Sequence, residues 1–418
     1  MKYYLSFLIF FIPLSSDAQI KISGRVVDEI TKQGIAGVSV YINNTTYGTE
    51  TDHKGNFSFN AMLTGEATLI LSHIAYVRKV HVLDNSPVVN LHFDLDPSTN
   101  KLSEVVVRAK PSKDHITKWF NLFYRELIGE YKKTTNWCKI KNKDSLYFDF
   151  DSETNNLKVF AKGPLIIENI FLNYKIKIDL EQFEYNFTTN EVIFKYYAFY
   201  EELPLMILPK NQIKKNRIFA YEGSNMHFMR GVYSKTIGLD FFYIFKYSEV
   251  KNMEKQRVTK IYLKKMAEAY VKEEKPDISL PHLFSRDTAK YYQAVLKQAD
   301  TISAKTKEID YRSFIKSDRS SRTVNVNFAD TILIQYDVNK LNNEEQFSAR
   351  ISSSKARVTA KKPDYRSTYL YFFKAGGVNV QRSGYYPEAS LFMYGDMPER
   401  RIGISLPYDF DLEKIYSK

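Results

Sequence analysis

The sequence predicts a mainly β protein with a mixed α+β second part. In residues 20–107, apolar residues alternate with a period of two, in short runs separated by turn-forming clusters. After residue 110, runs with helical spacing occur among further strand-like runs. The chain has 418 residues, of which 44% are hydrophobic, and this length favours two or three packed units. We therefore predict a seven-stranded antiparallel β-sandwich followed by a mixed helix and strand module.

The first eighteen residues have the layout of a secretory signal peptide. Lys2 precedes the apolar run of residues 5–14, and small and polar residues follow up to Ala18. The run is shorter than the roughly 20 residues that span a bilayer. Cleavage after Ala18 is therefore expected, rather than an uncleaved anchor. The expectation is an exported protein, periplasmic or associated with the outer membrane, with no transmembrane span in the mature chain.

Charge divides the chain near residue 110. The sequence holds 60 Lys and Arg against 48 Asp and Glu, a formal net charge of +12. Residues 1–110 contain equal numbers of basic and acidic residues, so the excess lies in the second part. With the signal peptide at 1–18, we predict a sandwich at 19–110, a basic α+β module at 111–310 and a β-rich region at 311–418.

Lysines cluster in residues 139–143, 210–217 and 246–265. Two interpretations are open for these clusters. They form solvated faces, or they attract anionic envelope polymers or lipid headgroups. Nucleic acid is not expected as a partner, because the protein is predicted to be exported.

The stretch TTYGTETDHKGNF joins two strand-like runs of the predicted sandwich. Asp52 can accept hydrogen bonds from amides further along the turn, and Gly55 can adopt the positive φ that closes it. A calcium loop would need more oxygen ligands at alternate positions, and the neighbouring residues provide no second carboxylate. Asp52 and Gly55 are therefore predicted to be structural turn residues.

These residues also carry a family resemblance. The segments ISGRVVDEITKQGIAGVSVYINNTTYGTETDHKGNFSF, LILSHIAYVRKVHV and LSEVVVRAK follow one another in the chain. Together they resemble the carboxypeptidase-regulatory-like domain, a transthyretin-like sandwich of exported proteins of Gram-negative bacteria. Ala36 departs from the pattern, since the family often has proline there. The resemblance implies a non-catalytic module and leaves the C-terminal extension uncharacterised.

The second part alternates between helical and strand-like patterns. Helical spacing predicts a helix at 114–131, another at 288–299, and a helical segment at 211–236 that is broken or capped near Gly223 and Ser224. Strands are predicted at 145–151, 157–161, 175–184 and 191–199, and further strands within 323–373.

The helical segment at 211–236 brings basic, aromatic and polar residues together. The candidates are Arg217, Tyr221, Ser224, His227 and Arg230. One continuous helix would place them on two neighbouring stripes, whereas a helix ending at Gly223 and a second one capped by Ser224 would align them less strictly. Either arrangement leaves two interpretations: a structural polar network, or a ligand or partner site.

The sequence contains no recognisable catalytic, cofactor or metal motif. No histidine begins a His-x-x-Glu pair, and neither a Gly-x-Ser-x-Gly elbow nor a phosphate loop occurs. Cys138 is the single cysteine, and we interpret it as a small buried hydrophobe.

We therefore predict a non-enzymatic envelope protein that acts as a binding or assembly module without a cofactor. Its expected partner is an envelope protein or an anionic envelope polymer. Two alternatives stay open: a carbohydrate-binding protein, and a hydrolase of envelope polymers whose site has no recognisable motif.

We predict that the exported protein begins at Gln19, because the apolar run ends at a small-residue cleavage site. Intact-mass measurement of the purified mature protein checks this, and a mass that retains Met1 would contradict it. As a control, Ile9→Arg should interrupt the apolar run, block export and leave Met1 in place.

Overall fold

The structure is a computed structural model. It describes residues 19–63, 65–83, 88–98, 113–131, 136–204, 207–272, 275–318, 322–340, 364–372, 376–387 and 391–412. The predicted signal peptide lies outside the described residues. So do residues 99–112, which contain the predicted boundary between the sandwich and the second part.

Seven strands form the predicted N-terminal β-sandwich. They are β1 Ile20–Asp28, β2 Ser39–Ile42, β3 Gly48–Glu50, β4 Asn56–Ala61, β5 Ala67–Ser72, β6 Lys79–Leu83 and β7 Val88–Leu95. One sheet has the order β4-β1-β7 and the other β3-β2-β5-β6. Alternate side chains such as Ile22, Val40 and Leu69 are fully buried between the sheets. The predicted fold class, a sandwich followed by a mixed module, is confirmed.

One strand pair differs from the predicted antiparallel arrangement. β1 pairs with β4 antiparallel but with β7 parallel, from Lys21 opposite Val88 to Asp28 opposite Leu95. The chain enters β7 from β6, which belongs to the other sheet. Period-two alternation of side chains is the same in both kinds of pairing. The direction of this pair could therefore not be predicted from the alternation.

The turn between β3 and β4 contains Asp52 and Gly55. Asp52 Oδ1 accepts hydrogen bonds from the N–H groups of Lys54 and Asn56, both at 2.8 Å. The bond from the Asn56 backbone is the main cause that lowers the pKa of the Asp52 carboxyl. Gly55 has φ +81°, and a Cβ atom there would meet Val26 O at 2.2 Å. Glycine is thus required by both the backbone conformation and the close approach.

A six-stranded sheet forms the centre of the second part. Its strands are β8 Cys138–Ile140, β9 Leu146–Asp151, β10 Asn156–Ala161, β11 Leu165–Asn169, β12 Tyr174–Asn186 and β13 Glu191–Glu202. Helix α1, Lys113–Ile128, packs Phe123 and Leu127 against this sheet. The C-terminal residues Ile402, Leu406 and Phe410 return to the same hydrophobic core.

A second, five-stranded sheet joins strands that lie far apart in the sequence, in the order β15-β14-β18-β19-β21. Its strands are β14 Phe242–Lys251, β15 Thr301–Glu308, β18 Ile332–Asp337, β19 Tyr365–Phe372 and β21 Leu391–Gly395. A three-stranded sheet holds β16 Ile315–Asp318, β17 Thr323–Val326 and β20 Val378–Val380. The predicted boundary between residues 310 and 311 divides the five-stranded sheet, so it does not separate two structural units. Pairing between distant strands leaves no mark on local composition.

The helices connect and extend the sheets. They are α2 Lys210–Tyr221, α3 Asn225–Ser234, α4 Met253–Lys272, α5 Leu280–Leu283, α6 Arg286–Leu296 and α7 Asp396–Glu399. The predicted helical segment at 211–236 is divided at Gly223, which has φ +70°, and the Ser224 side chain caps α3. Helix α4 was not predicted, because its lysine-rich sequence has little apolar periodicity. In the described part of the chain, no helix is both long and apolar enough to cross a membrane.

We expect Gly55→Ala to lower the free energy of unfolding of the full chain by about 2–4 kcal/mol, from positive φ and steric overlap together. Gly37→Ala is the matched control, because Gly37 has φ +74° but open space around its Cβ position. The control should lose only about 1 kcal/mol. Urea unfolding measures both, and equal losses would contradict the close approach of Gly55 to Val26.

Candidate functional site

Of the five candidate residues of the helical segment, Arg217 lies apart from the other four. Arg217 fastens α2 to the six-stranded sheet. Its Nε donates to Leu172 O at 2.9 Å, and its Nη2 donates to Glu202 Oε2 at 2.8 Å. The guanidinium group lies over the Tyr174 ring, 4.1 Å from the centroid. All of these contacts hold the helix to the sheet.

Ser224 and His227 shape the junction between α2 and α3. The His227 N–H donates to Ser224 Oγ at 3.1 Å, and the Gly223 N–H donates to His227 Nδ1 at 3.0 Å. The imidazole lies 4.6 Å from the Tyr221 ring, and its Nε2 is 3.9 Å from Asp240 Oδ1. His227 is therefore packed into the junction, with one nitrogen directed toward a carboxylate.

Arg230 joins α3 to two distant segments. Its Nε donates to Ser383 O at 3.0 Å, and its Nη2 donates to Tyr408 O at 3.0 Å and to Phe410 O at 2.9 Å. The guanidinium group also lies 5.6 Å from the Tyr221 ring centroid. One arginine thus satisfies three backbone carbonyl groups.

A cavity of about 440 Å³ opens beside Arg230, between the sandwich, α3 and the C-terminal segment. This volume is within the range of small-ligand pockets. Tyr221 and Arg230 line this cavity, whereas Ser224 lines a neighbouring one of about 600 Å³. Arg217 and His227 line neither of the two. Tyr221, Ser224, His227 and Arg230 therefore cluster at the junction of α2 and α3, but they face two different cavities or none.

Four carboxylates line the smaller cavity, those of Glu66, Asp240, Asp409 and Asp411, and threonines hold two of them. The Thr46 N–H donates to Asp409 Oδ1 at 2.8 Å, and the Thr46 hydroxyl donates to Asp409 Oδ2. Burial raises the pKa of the Asp409 carboxyl, while the bonds from Thr46 act in the opposite direction. The Thr236 hydroxyl likewise donates to Asp240 Oδ2. Both carboxylates take part in holding the fold.

Cys138 lies in the hydrophobic core of the second part. Cys138 is buried, and burial raises the pKa of its thiol to about 12, which keeps it in the weakly nucleophilic thiol form near neutral pH. No group of three or more His, Cys, Asp and Glu within the described segments could hold a metal ion.

The outer side of the five-stranded sheet carries a surface that the sequence analysis did not predict. We call it the aromatic face, formed by Tyr247, Tyr369, Tyr371, Phe392 and Tyr394. Tyr369 pairs with Tyr394, and Tyr371 pairs with Phe392, across β19 and β21. Ring centroids lie 4.7 Å apart for Tyr247 and Tyr369, 6.2 Å for Tyr369 and Tyr394, and 5.5 Å for Tyr371 and Phe392. Tyr394 is 73% exposed and Phe392 is 41% exposed, whereas Tyr247 and Tyr369 are half-buried.

Comparison with known proteins assigns the N-terminal part. Residues 22–107 match the CarboxypepD_reg-like domain. This domain is a regulatory-like β-sandwich and not a catalytic one. The resemblance seen in the sequence motifs is thus confirmed, and the C-terminal extension that follows is unassigned. No curated protein matches the chain.

Three solved structures show weak similarity. A Bacteroides uniformis protein, provisionally described as carbohydrate binding, has 10% identity and TM-score 0.17, over 44% of this chain and 79% of its own. A 9R-lipoxygenase from Cyanothece has 10% identity and TM-score 0.15, over 52% of this chain and 48% of its own. A Bacteroides fragilis protein of unknown function, provisionally described as membrane-associated, has 8% identity and TM-score 0.16, over 90% and 98%. These scores are too low to indicate a shared fold.

The alternation of aromatic residues in β19 and β21 is visible in the sequence, but it indicates a common surface only if the pairing of these two strands is known. In YRSTYLYF and LFMYG, Tyr369, Tyr371, Phe392 and Tyr394 alternate with residues that face the core, such as Leu370. Because both sides of these strands are apolar, the alternation alone does not show which side is exposed. Knowing that β19 and β21 are neighbours behind the CarboxypepD_reg-like domain would have revealed the paired rings.

We expect Arg230→Ala to lower the free energy of unfolding by about 2–4 kcal/mol, because three carbonyl groups lose a charged donor. Lys215→Ala, an exposed change on α2, is the control and should stay within about 0.5 kcal/mol of the unchanged protein. Urea unfolding measures both. An unchanged midpoint for Arg230→Ala would refute the structural role and favour a ligand or partner site.

Proposed function

We propose that the protein is an exported, non-enzymatic binding protein of the cell envelope that binds carbohydrate on its aromatic face. The observation that carries this proposal is the row Tyr247, Tyr369 and Tyr394, which crosses the sheet with ring separations of 4.7 and 6.2 Å. Exposed apolar surfaces of this kind commonly mark interaction sites. Export is supported by the signal-like first eighteen residues.

Sugar rings fit such a surface chemically. A pyranose ring presents C–H groups on its faces and hydroxyl groups around its rim. The C–H groups gain dispersion and electrostatic contact with the face of an aromatic ring, and tyrosine hydroxyls can donate to or accept from the rim. Tyr369 and Tyr394 lie on neighbouring strands, which are about 4.8 Å apart, so a glycan lying across β19 and β21 would meet both rings, with Tyr247 beyond β18 at the end of the row.

Binding is favoured over hydrolysis by the position of the cavity carboxylates relative to the aromatic face. Glycoside hydrolysis needs two carboxyl groups that flank the scissile bond and are free to exchange protons. The carboxylates of Glu66, Asp240, Asp409 and Asp411 line the smaller cavity, between the sandwich and α3. The aromatic face lies elsewhere, on the outer side of the five-stranded sheet. This arrangement supports a protein that holds a polymer without cleaving it.

Affinity electrophoresis with a panel of polysaccharides, including solubilised peptidoglycan, tests the proposal. We expect at least one polysaccharide to retard the protein, and Tyr394→Ala to weaken that binding about tenfold, as expected for the loss of one stacking contact. Tyr147→Ala is the control, because Tyr147 is a 45% exposed tyrosine on β9 of the six-stranded sheet, away from the aromatic face. Melting temperatures would verify that both variants are folded.

Three results would overturn this proposal. The protein is retarded by none of the polysaccharides, or the variants Tyr394→Ala and Tyr147→Ala weaken binding equally. Alternatively, the recovered polysaccharide is shortened, which would favour the hydrolase alternative.

A further inference from the structure

Helix α4 lies in the segment between β14 and β15 and contacts α5 and α6 of the same segment. Of its 20 residues, only Val258 is buried. The residues that bond α4 to the rest of the protein lie on one side of the helix. The Tyr262 hydroxyl donates to Ile278 O at 3.1 Å, and Lys255 Nζ donates to Gln298 O at 2.6 Å. The opposite side is exposed to solvent.

That opposite side combines apolar and basic residues. We call it the outer face of α4, formed by Met253, Lys260, Leu263, Lys264, Tyr270 and Val271. These positions follow one another at spacings that keep them within about a third of the helix circumference. Leu263 is 56% exposed and Val271 is 88% exposed. No Asp or Glu belongs to this face.

The basic groups of the outer face are available to a partner. The acidic residues Glu254 and Glu268 of α4 are paired with Arg257 and Lys265. Lys260 and Lys264 are exposed and form no ion pair with any residue that the structure describes. Two ammonium groups outside any such ion pair thus lie among exposed apolar side chains, although the charge of Lys264 also lowers the pKa of the Glu268 carboxyl.

We propose that the outer face of α4 docks on an anionic lipid bilayer. Lysine ammonium groups would bind lipid phosphates, while Leu263, Tyr270 and Val271 would enter the boundary between headgroups and acyl chains. An anionic polymer would satisfy the lysines but would leave the apolar residues in water. The combination of both residue types on one face therefore favours the bilayer. This inference does not depend on carbohydrate binding.

Vesicle co-sedimentation tests the proposal with a chain that begins at Gln19, so that the apolar run of residues 5–14 cannot itself insert. We expect binding to vesicles of phosphatidylcholine mixed with phosphatidylglycerol, reduced by salt, and none to pure phosphatidylcholine. The double variant Lys260→Glu/Lys264→Glu should weaken binding about tenfold or more. Lys139→Glu/Lys143→Glu, the same charge change at exposed positions elsewhere, should retain it.

A second pair of substitutions separates a bilayer from a polymer. Leu263→Gln/Val271→Gln keeps the charge and removes apolar surface, so it should weaken vesicle binding about tenfold. The proposal would be overturned if this variant bound vesicles as well as the unchanged protein does, and if the two proteins also bound soluble polyphosphate equally. That result would show a site for an anionic polymer. Equal losses in the two lysine variants would also overturn the proposal. Tyr394→Ala should leave vesicle binding unchanged, so failure here is distinguishable from failure of carbohydrate binding.

Discussion

The short turn between β2 and β3 holds the three parts of the protein together. The Asn44 N–H donates to Ala198 O at 2.7 Å, and Asn44 O accepts from the Tyr408 N–H at 2.7 Å. Thr45 O accepts from the Tyr200 N–H at 3.0 Å. One turn of the sandwich therefore satisfies backbone groups of β13 and of the C-terminal segment. Since an unpaired buried backbone group is costly, these parts are expected to fold against one another rather than as separate units.

Buried polar side chains reinforce the same joint. Asp179 of β12 accepts hydrogen bonds from the Tyr41 hydroxyl and from the Ser72 hydroxyl, both at 2.5 Å. A buried carboxylate is tolerated only with such partners, and Arg78 Nη1, 3.9 Å from Asp179 Oδ1, adds a positive charge. Arg230 bonds the C-terminal segment to α3 by donating to the carbonyl groups of Tyr408 and Phe410. Two residues of the predicted site, Arg217 and Arg230, thus contact segments that lie far from them in the sequence.

The sequence could predict what depends on near neighbours in the chain. Sandwich strands follow from period-two alternation, and the break at Gly223 follows from local turn and capping chemistry. What it could not predict depends on distant partners. The acceptors of Arg230 lie 153 to 180 positions away, and the five-stranded sheet crosses residue 310. The aromatic face exists only because β19 and β21 pair in one register, and a shift by one residue would turn Tyr394 toward the core.

The two proposed surfaces share one structural support. Strand β14 carries Tyr247 of the aromatic face, and helix α4 begins at Met253, directly after β14 ends at Lys251. The rings and the outer face of α4 are thus connected through a paired strand and not through a long flexible linker. A protein docked by α4 would hold its aromatic rings at a restricted distance from the bilayer. A glycan attached to that membrane would then meet the rings at a raised effective concentration, so modest affinity at each surface would suffice for stable capture.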